Sequence, residues 1–134
     1  MKKSFIVLLL LLGSCNNLPD ECPELLFEQN EKITSTLDGK LFTGRCTTYE
    51  NGKQRSIQQY INGVDYGKWT FYFPDGSIQT TGKFNKNGKR IGKWLYYYEN
   101  GNLKQISNYS SNGERSNKWT YYNEEGEITD EINY

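Results

Sequence analysis

The chain has 134 residues, enough for one domain, and its 16 basic and 16 acidic residues balance. Without the first fourteen residues, which we interpret as a removed segment, 14 basic and 16 acidic residues remain; this net charge of −2 argues against a protein that binds nucleic acid through a basic face. The chain has no histidine, so it lacks the most common general base and metal ligand.

Residues 1–14 are predicted to form a signal peptide. Lys2 and Lys3 supply the positive start, and the run from Phe5 to Leu12 has the length of a signal-peptide apolar region. This run is much shorter than the roughly 20 residues that span a bilayer. The segment is therefore interpreted as an export signal rather than a membrane helix.

The sequence Leu12-Gly13-Ser14-Cys15 resembles a bacterial lipobox. The resemblance implies that the thiol of Cys15 receives a diacylglyceryl group, and that cleavage after Ser14 leaves Cys15 as the acylated first residue. Several acyl chains on one residue anchor a protein stably. Because Asn16 rather than aspartate follows the cysteine, the family rule implies the outer membrane if the cell is Gram-negative. The alternative is an ordinary secretory signal in which this cysteine occurs by chance.

Cys22 and Cys46 are predicted to form a disulfide, because an even pair of cysteines outside the cytoplasm is typical of a bridge. The alternative is two free buried thiols. Residues 15–23, which contain Pro19 and Pro23, are interpreted as a tether from the membrane.

Residues 24–40 are predicted to cap the N-terminal side of the fold. The preferred interpretation is two short strands, Glu24 to Glu28 and Lys32 to Leu37, around Gln29-Asn30. The alternative is a short helix over 24–32, since Leu25 and Leu26 are good helix formers.

From residue 41 to 134 the sequence repeats. The three tryptophans, Trp69, Trp94 and Trp119, are each 25 residues apart, and a fixed period of this size indicates a repeat architecture. Turn sequences such as Asn51-Gly52 lie between aromatic runs, which is typical of β-hairpins. We predict four hairpins, at about 41–61, 68–85, 93–110 and 118–134.

The strand register follows from these turns. If Asp75-Gly76 forms a two-residue turn with positive φ at both residues, Phe73 lies opposite Ile78 and Trp69 lies opposite Gly82. The same count places Trp94 opposite Ser107 and Trp119 opposite Ile132. Gly82 and Ser107 would then leave space for an indole ring.

Alternation along each strand predicts two different faces. We call the face that carries the three tryptophans the tryptophan face, and we expect these rings to be structural, because stacked hairpins need a shared core. We call the other the lysine face. Its predicted residues, offered as possible partner contacts, are Lys68, Lys93 and Lys118 with Tyr72, Tyr97 and Tyr122.

The pattern Gly-x-x-x-Gly-Lys-Trp-x-x-Tyr-Tyr-x-x-x-Gly-x-Leu, which Gly88 to Leu103 follows almost throughout, resembles the MORN-repeat variant of bacterial proteins. The resemblance covers about residues 38–134. It implies an all-β fold: an elongated, single-layer antiparallel meander of stacked β-hairpins. Asn117 and Asn123 depart from the pattern, so we expect the last unit to fray.

Catalytic chemistry is not expected. The chain has no serine-nucleophile motif, phosphate-binding loop or metal-spaced set of cysteines and histidines. The acidic residues of the last hairpin are of a type that can hydrolyse glycosides in pairs, but acids on an edge strand also protect against aggregation. We therefore expect a protein that is not an enzyme and that uses no cofactor and no metal.

Three functions remain open. The first is a lipid-anchored envelope protein whose sheet binds or scaffolds another envelope protein, since repeat folds offer broad recognition surfaces. The second is an antitoxin or immunity lipoprotein that neutralises a toxin, because some members of the resembled family carry the antitoxin label. The third is cell-wall glycan binding through the tyrosines of the lysine face.

Overall fold

The computed structural model describes residues 22, 26–29, 32–35 and 39–134. The predicted signal peptide, the lipidation of Cys15 and most of the predicted tether lie outside these residues. The described segments contain only strands and turns, and in them no helix has the length and apolar character needed to cross a membrane.

The described strands form two sheets. The strands are β1 Leu26–Gln29, β2 Lys32–Ser35, β3 Gly44–Glu50, β4 Lys53–Ile61, β5 Val64–Asp65, β6 Gly67–Tyr72, β7 Ile78–Phe84, β8 Arg90–Tyr97, β9 Leu103–Tyr109, β10 Lys118–Tyr122 and β11 Ile128–Asn133. A two-stranded sheet has the order β1-β2, and a nine-stranded sheet has the order β11-β10-β9-β8-β7-β6-β4-β3, with β5 paired to β4. All paired strands are antiparallel, which confirms the predicted all-β meander.

The N-terminal pair of strands decides between the two interpretations of residues 24–40. β1 and β2 pair antiparallel, with Gln29 opposite Lys32, so two strands are present here, but Gln29 belongs to β1 rather than to the predicted turn. The helix over 24–32 is wrong. The helix preference of two leucines is small, and strand pairing overrides it.

The turns lie alternately at two ends of the sheet, which we call the tip and the base. The tip turns are centred on Asn51-Gly52, Asp75-Gly76, Asn100-Gly101 and Glu125-Gly126, and the base turns on Asn62-Gly63, Asn87-Gly88 and Asn112-Gly113. Only the turns at Asn51-Gly52 and Asn62-Gly63 have positive φ at both residues, as predicted for two-residue hairpin turns.

The remaining turns are longer than predicted. At the second tip turn the N–H of Gly76 donates to the carbonyl of Phe73 (2.9 Å), and the N–H of Phe73 donates to the carbonyl of Ser77 (2.8 Å). Pro74 favours this arrangement because its fixed φ suits the first central position of a type I turn. A bulge follows, so Tyr72 pairs with Ile78 and the predicted Phe73–Ile78 pair is wrong.

The tryptophan register was predicted correctly. Trp69 lies opposite Gly82, Trp94 opposite Ser107, and Trp119 opposite Ile132. The ring that covers Gly82 differs from the expected one. A Cβ atom on Gly82 would overlap the indole of Trp94, from the next hairpin, rather than that of its cross-strand partner Trp69.

The two departures near the C-terminus do not interrupt the repeat. Asn117 adopts φ 55°, close to the 66° of Gly67 and the 65° of Gly92 at the equivalent positions. Asparagine tolerates this left-handed conformation better than most residues. The carboxamide oxygen of Asn123 accepts a hydrogen bond from the N–H of Glu127 (2.8 Å), which closes the last tip turn.

Candidate binding faces

The tryptophan face is the packed face of the sheet. Each indole N–H donates to a backbone carbonyl of the preceding strand: Trp69 to Gln59 (2.9 Å), Trp94 to Lys83 (3.3 Å) and Trp119 to Asn108 (2.9 Å). Burying an indole satisfactorily requires such a partner for its N–H group. The same bond in three successive units shows that the tryptophans hold neighbouring hairpins together.

Aromatic contacts continue this packing along the sheet. Ring centroids are 5.4 Å apart for Tyr60 and Trp69, 4.8 Å for Trp69 and Phe84, and 5.0 Å for Phe84 and Trp94. Burial, aided by the charge of Asp65, raises the pKa of Tyr60 to about 12. A disulfide joins Cys22 to Cys46 at the N-terminal end of this row, where Cys46 is buried with Phe42 and Tyr60.

Two arginines on this face were missed by sequence reasoning. The guanidinium of Arg90 lies 4.4 Å from the ring centroid of Trp94, and that of Arg115 lies 5.0 Å from that of Trp119. Arginine over an indole face is a favourable cation–π arrangement. The signal was present in the sequence, because the two arginines are 25 residues apart, like the rings that they cover.

The lysine face carries a row of positive charge that we call the lysine row: Lys68, Lys83 and Lys93. Lys68 and Lys83 are exposed and lie directly opposite each other on β6 and β7. Together with Thr81 and Gly82, the row lines a shallow depression of about 380 Å³. Within residues 39–134, no carboxylate forms an ion pair with any of the three lysines. Lys83 was not among the predicted contacts.

Lys118 differs from the lysines of the row, although sequence reasoning grouped it with Lys68 and Lys93. Its ammonium lies 2.6 Å from a carboxylate oxygen of Glu131 on the neighbouring strand β11. Its charge is therefore already compensated within the sheet.

The predicted contact tyrosines, Tyr72, Tyr97 and Tyr122, are all partly buried. They lie at the tip ends of their strands, whereas the predicted lysines lie near the base. Lys68 and Tyr72 are four positions apart on an extended strand, a distance of about 13 Å. The structure therefore does not bring the predicted lysines and tyrosines into one compact site.

A second concavity, which we call the tip groove, lies on the tryptophan face near the tip turns. Its volume is about 520 Å³. Thr80, Tyr96 and Gln105 are cross-strand neighbours on β7, β8 and β9 and all three line the groove. Burial raises the pKa of Tyr96, whose hydroxyl accepts a hydrogen bond from Arg90 (3.2 Å). The other lining residues are Phe73, Gln79, Tyr97, Tyr98, Glu99, Asn100, Lys104 and Glu124.

The fold and its two faces define a β-hairpin repeat protein with surfaces suited to recognition. Two of its hairpins match a known repeat: residues 65–86 and 90–111 each match the family described as "MORN repeat variant". These ranges contain β6 with β7 and β8 with β9. The chain thus carries two repeats of this variant, and the resemblance stated from the sequence is confirmed for them.

No curated protein matches the chain. Among solved structures, a chain of the "Crystal structure of GtfA/B complex bound to UDP and GlcNAc" is similar at 14% identity and a TM-score of 0.38. The match covers 91% of this chain and 32% of that one.

Proposed function

We propose that this protein is a lipid-anchored interaction module of the bacterial cell envelope, and that its lysine row binds an acidic surface on another protein. The observation that supports the proposal is that Lys68 and Lys83 lie directly opposite each other on neighbouring strands, with no ion pair to a carboxylate of residues 39–134. Like charges directly opposite each other destabilise a sheet.

An acidic partner would relieve this repulsion. Carboxylates placed over the row would pair with the ammonium groups, and the partner would cover their aliphatic stems. The depression lined by Thr81 and Gly82 gives the partner a surface feature to fit. Lys118 would contribute little, because binding would have to displace Glu131.

The anchor places this surface close to the membrane. Cys15 precedes Cys22 by seven residues, which span at most about 25 Å when fully extended. Because Cys22 is bridged to Cys46 in β3, a lipid on Cys15 would keep that edge of the sheet near the bilayer. We therefore expect the partner to be a protein of the same membrane or of the adjoining envelope.

Neutralising the lysine row should weaken partner capture. The bait is the full-length protein, purified in detergent from the membrane fraction, and captured proteins are quantified from solubilised envelopes. The double variant K68Q/K83Q should lose about tenfold in affinity for the partner, since it removes two exposed ion pairs worth up to about 1 kcal/mol each.

K118Q is the matched control, because it removes a lysine of the same face whose charge is compensated. It should retain the partner. Equal capture by K68Q/K83Q and wild type would contradict the proposal, as would an equal loss in K68Q/K83Q and K118Q. Binding of wild-type protein to anionic vesicles alone, without a captured protein, would assign the row to lipid instead.

Replacing Cys15 by alanine tests the anchor separately. The variant should move from the membrane fraction to the soluble envelope fraction and should no longer incorporate labelled palmitate, because alanine has no thiol to acylate. N16A serves as a control and should remain in the membrane fraction. The anchor is ruled out if C15A stays in the membrane fraction as fully as wild type.

A further inference from the structure

The tip groove lies next to the junction between the second and third hairpins. This junction differs from the one between the third and fourth hairpins. At the later junction, the tips of the third and fourth hairpins are tied by side chains. The hydroxyl of Tyr98 donates to the carbonyl of Tyr122 (2.8 Å). The carboxamides of Asn100 and Asn102 both donate to the carbonyl of Glu124 (2.9 and 2.7 Å).

The second hairpin lacks these donors. Phe73, Asp75 and Ser77 stand 25 residues before Tyr98, Asn100 and Asn102. Phenylalanine has no hydroxyl, and the Asp75 carboxylate is an acceptor that binds the N–H and hydroxyl of Ser77 (2.8 and 2.6 Å). These hydrogen bonds also lower the pKa of Asp75, which keeps it ionised and unable to donate.

The tips of the second and third hairpins are therefore not joined by the corresponding bonds, and the groove lies beside them. Phe73 and the segment from Tyr97 to Glu99, whose carbonyls would be the acceptors, both line it. The second and third hairpins thus differ at three positions beside the tip groove, whose volume exceeds that of the depression under the lysine row.

The chemistry of the lining suits a neutral, hydroxyl-rich ligand. Tyr96, which is partly exposed, offers aromatic surface, on which the apolar C–H face of a sugar ring stacks; Phe73 also lines the groove but is buried. Around them lie the carboxamides of Gln79, Gln105 and Asn100, each of which can both donate and accept. The groove's volume of about 520 Å³ lies in the range of small-ligand sites, and its lining combines aromatic rings with polar and charged groups.

Two other classes of ligand fit less well. An anionic ligand would be repelled by the two carboxylates that line the groove, those of Glu99 and Glu124, and attracted by the single ammonium group of the lining, that of Lys104. An extended peptide would have no free strand edge to pair with, because β7 and β8 already pair with each other through Thr80 and Tyr96 beneath the groove.

We propose that the tip groove is a binding site for a neutral oligosaccharide. The site is independent of the lysine row and lies on the opposite face of the sheet. It also differs from the glycan surface expected from the sequence, which was placed on the lysine face.

The test closes the groove without removing the fold. The triple variant F73Y/D75N/S77N gives the second hairpin the three donors of the third, so that its tip can bond the carbonyls of Tyr97 and Glu99. Full-length protein in detergent is titrated with two neutral probes, chitotetraose and cellotetraose, and with tetragalacturonate as the anionic control. Binding is followed by NMR, using the side-chain amide signals of Gln79 and Gln105.

Wild type should bind at least one neutral probe, with shifts concentrated at these two glutamines, and should not bind tetragalacturonate. The triple variant should bind at least tenfold more weakly while keeping the wild-type melting temperature or a higher one. Q79A should weaken binding about fivefold, and K68Q should leave it unchanged.

Two results would overturn the proposal. One is wild-type protein that binds neither neutral probe. The other is a folded triple variant that binds as tightly as wild type. If the triple variant does not fold, Q79A decides: its side chain is exposed, so the substitution should not affect folding, and unchanged binding would overturn the proposal.

Discussion

Replacing Trp94 by alanine is expected to lower the free energy of unfolding by about 3–5 kcal/mol, the range for large aromatic residues in protein cores. Trp94 is 2% exposed and is one of the two most completely buried side chains among the described residues. Its ring packs against Phe84 and lies beneath Arg90. Alanine would remove all of these contacts at once.

The residues around Trp94 can neither fill the space left by the indole ring nor replace its hydrogen bond. Gly82, over which the indole lies, has no side chain that can move into the space. The carbonyl of Lys83 would also lose its indole donor. A cavity that cannot collapse places a substitution at the upper end of the expected range.

Urea unfolding measures this loss, with Tyr49→Ala as the control. Tyr49 belongs to the same sheet but is 66% exposed, so its replacement should change stability by no more than about 0.5 kcal/mol. Since each hairpin of a repeat array contacts only its neighbours, W94A is also expected to broaden the transition as the two sides uncouple. Similar losses for W94A and Y49A would show that the tryptophan face is not the core.

Removing the disulfide is also expected to lower the free energy of unfolding substantially. The double variant C22A/C46A should lose roughly 3.5 kcal/mol, because the bridge closes a loop of about 25 residues and so restricts the unfolded chain. Cys46 is 4% exposed and packs with Phe42 and Tyr60, so the substitution also removes buried contacts at the edge of the core.

Reduction separates these two contributions. Adding dithiothreitol to wild-type protein should produce most of the loss, because it opens the bridge while keeping both sulfur atoms. The same reductant should have no effect on C22A/C46A. If dithiothreitol leaves the urea midpoint of wild type unchanged, the bridge does not contribute to stability in the folded protein.

The repeat and the strand register around the tryptophans were predictable because both are local. A 25-residue period needs only the sequence, and cross-strand neighbours follow from counting back from a turn. The pair Trp69 and Gly82 was obtained in this way, even though the turn itself was misassigned. Compared with a two-residue turn, the observed turn adds one residue on the β6 side, and the bulge adds one residue on the β7 side. These two shifts in pairing cancel beyond the bulge, so Trp69 still lies opposite Gly82.

The contacts between hairpins were less predictable. Gly82 pairs with Trp69 but accommodates Trp94, since an indole reaches across to the neighbouring strand rather than lying over its own partner. The tip groove was missed for the same reason. It lies beside the tips of the second and third hairpins, which are not joined by the hydrogen bonds that tie the third hairpin to the fourth; those bonds link residues about 24 positions apart, which no local pattern connects.

The sequence by itself determined that this protein is a meander of repeated hairpins with tryptophans on one face, because turn chemistry and alternation act within a single hairpin. Only the tertiary structure decided where the charges lie. Antiparallel pairing brings all tip turns to one end of the sheet and all base turns to the other. A nearly neutral chain thereby becomes a polarised sheet. Acidic residues predominate at the tip turns, at Glu50, Asp75, Glu99, Glu124, Glu125 and Glu127, and basic residues predominate toward the base, at Lys68, Lys83, Lys86, Lys89, Lys93 and Arg115.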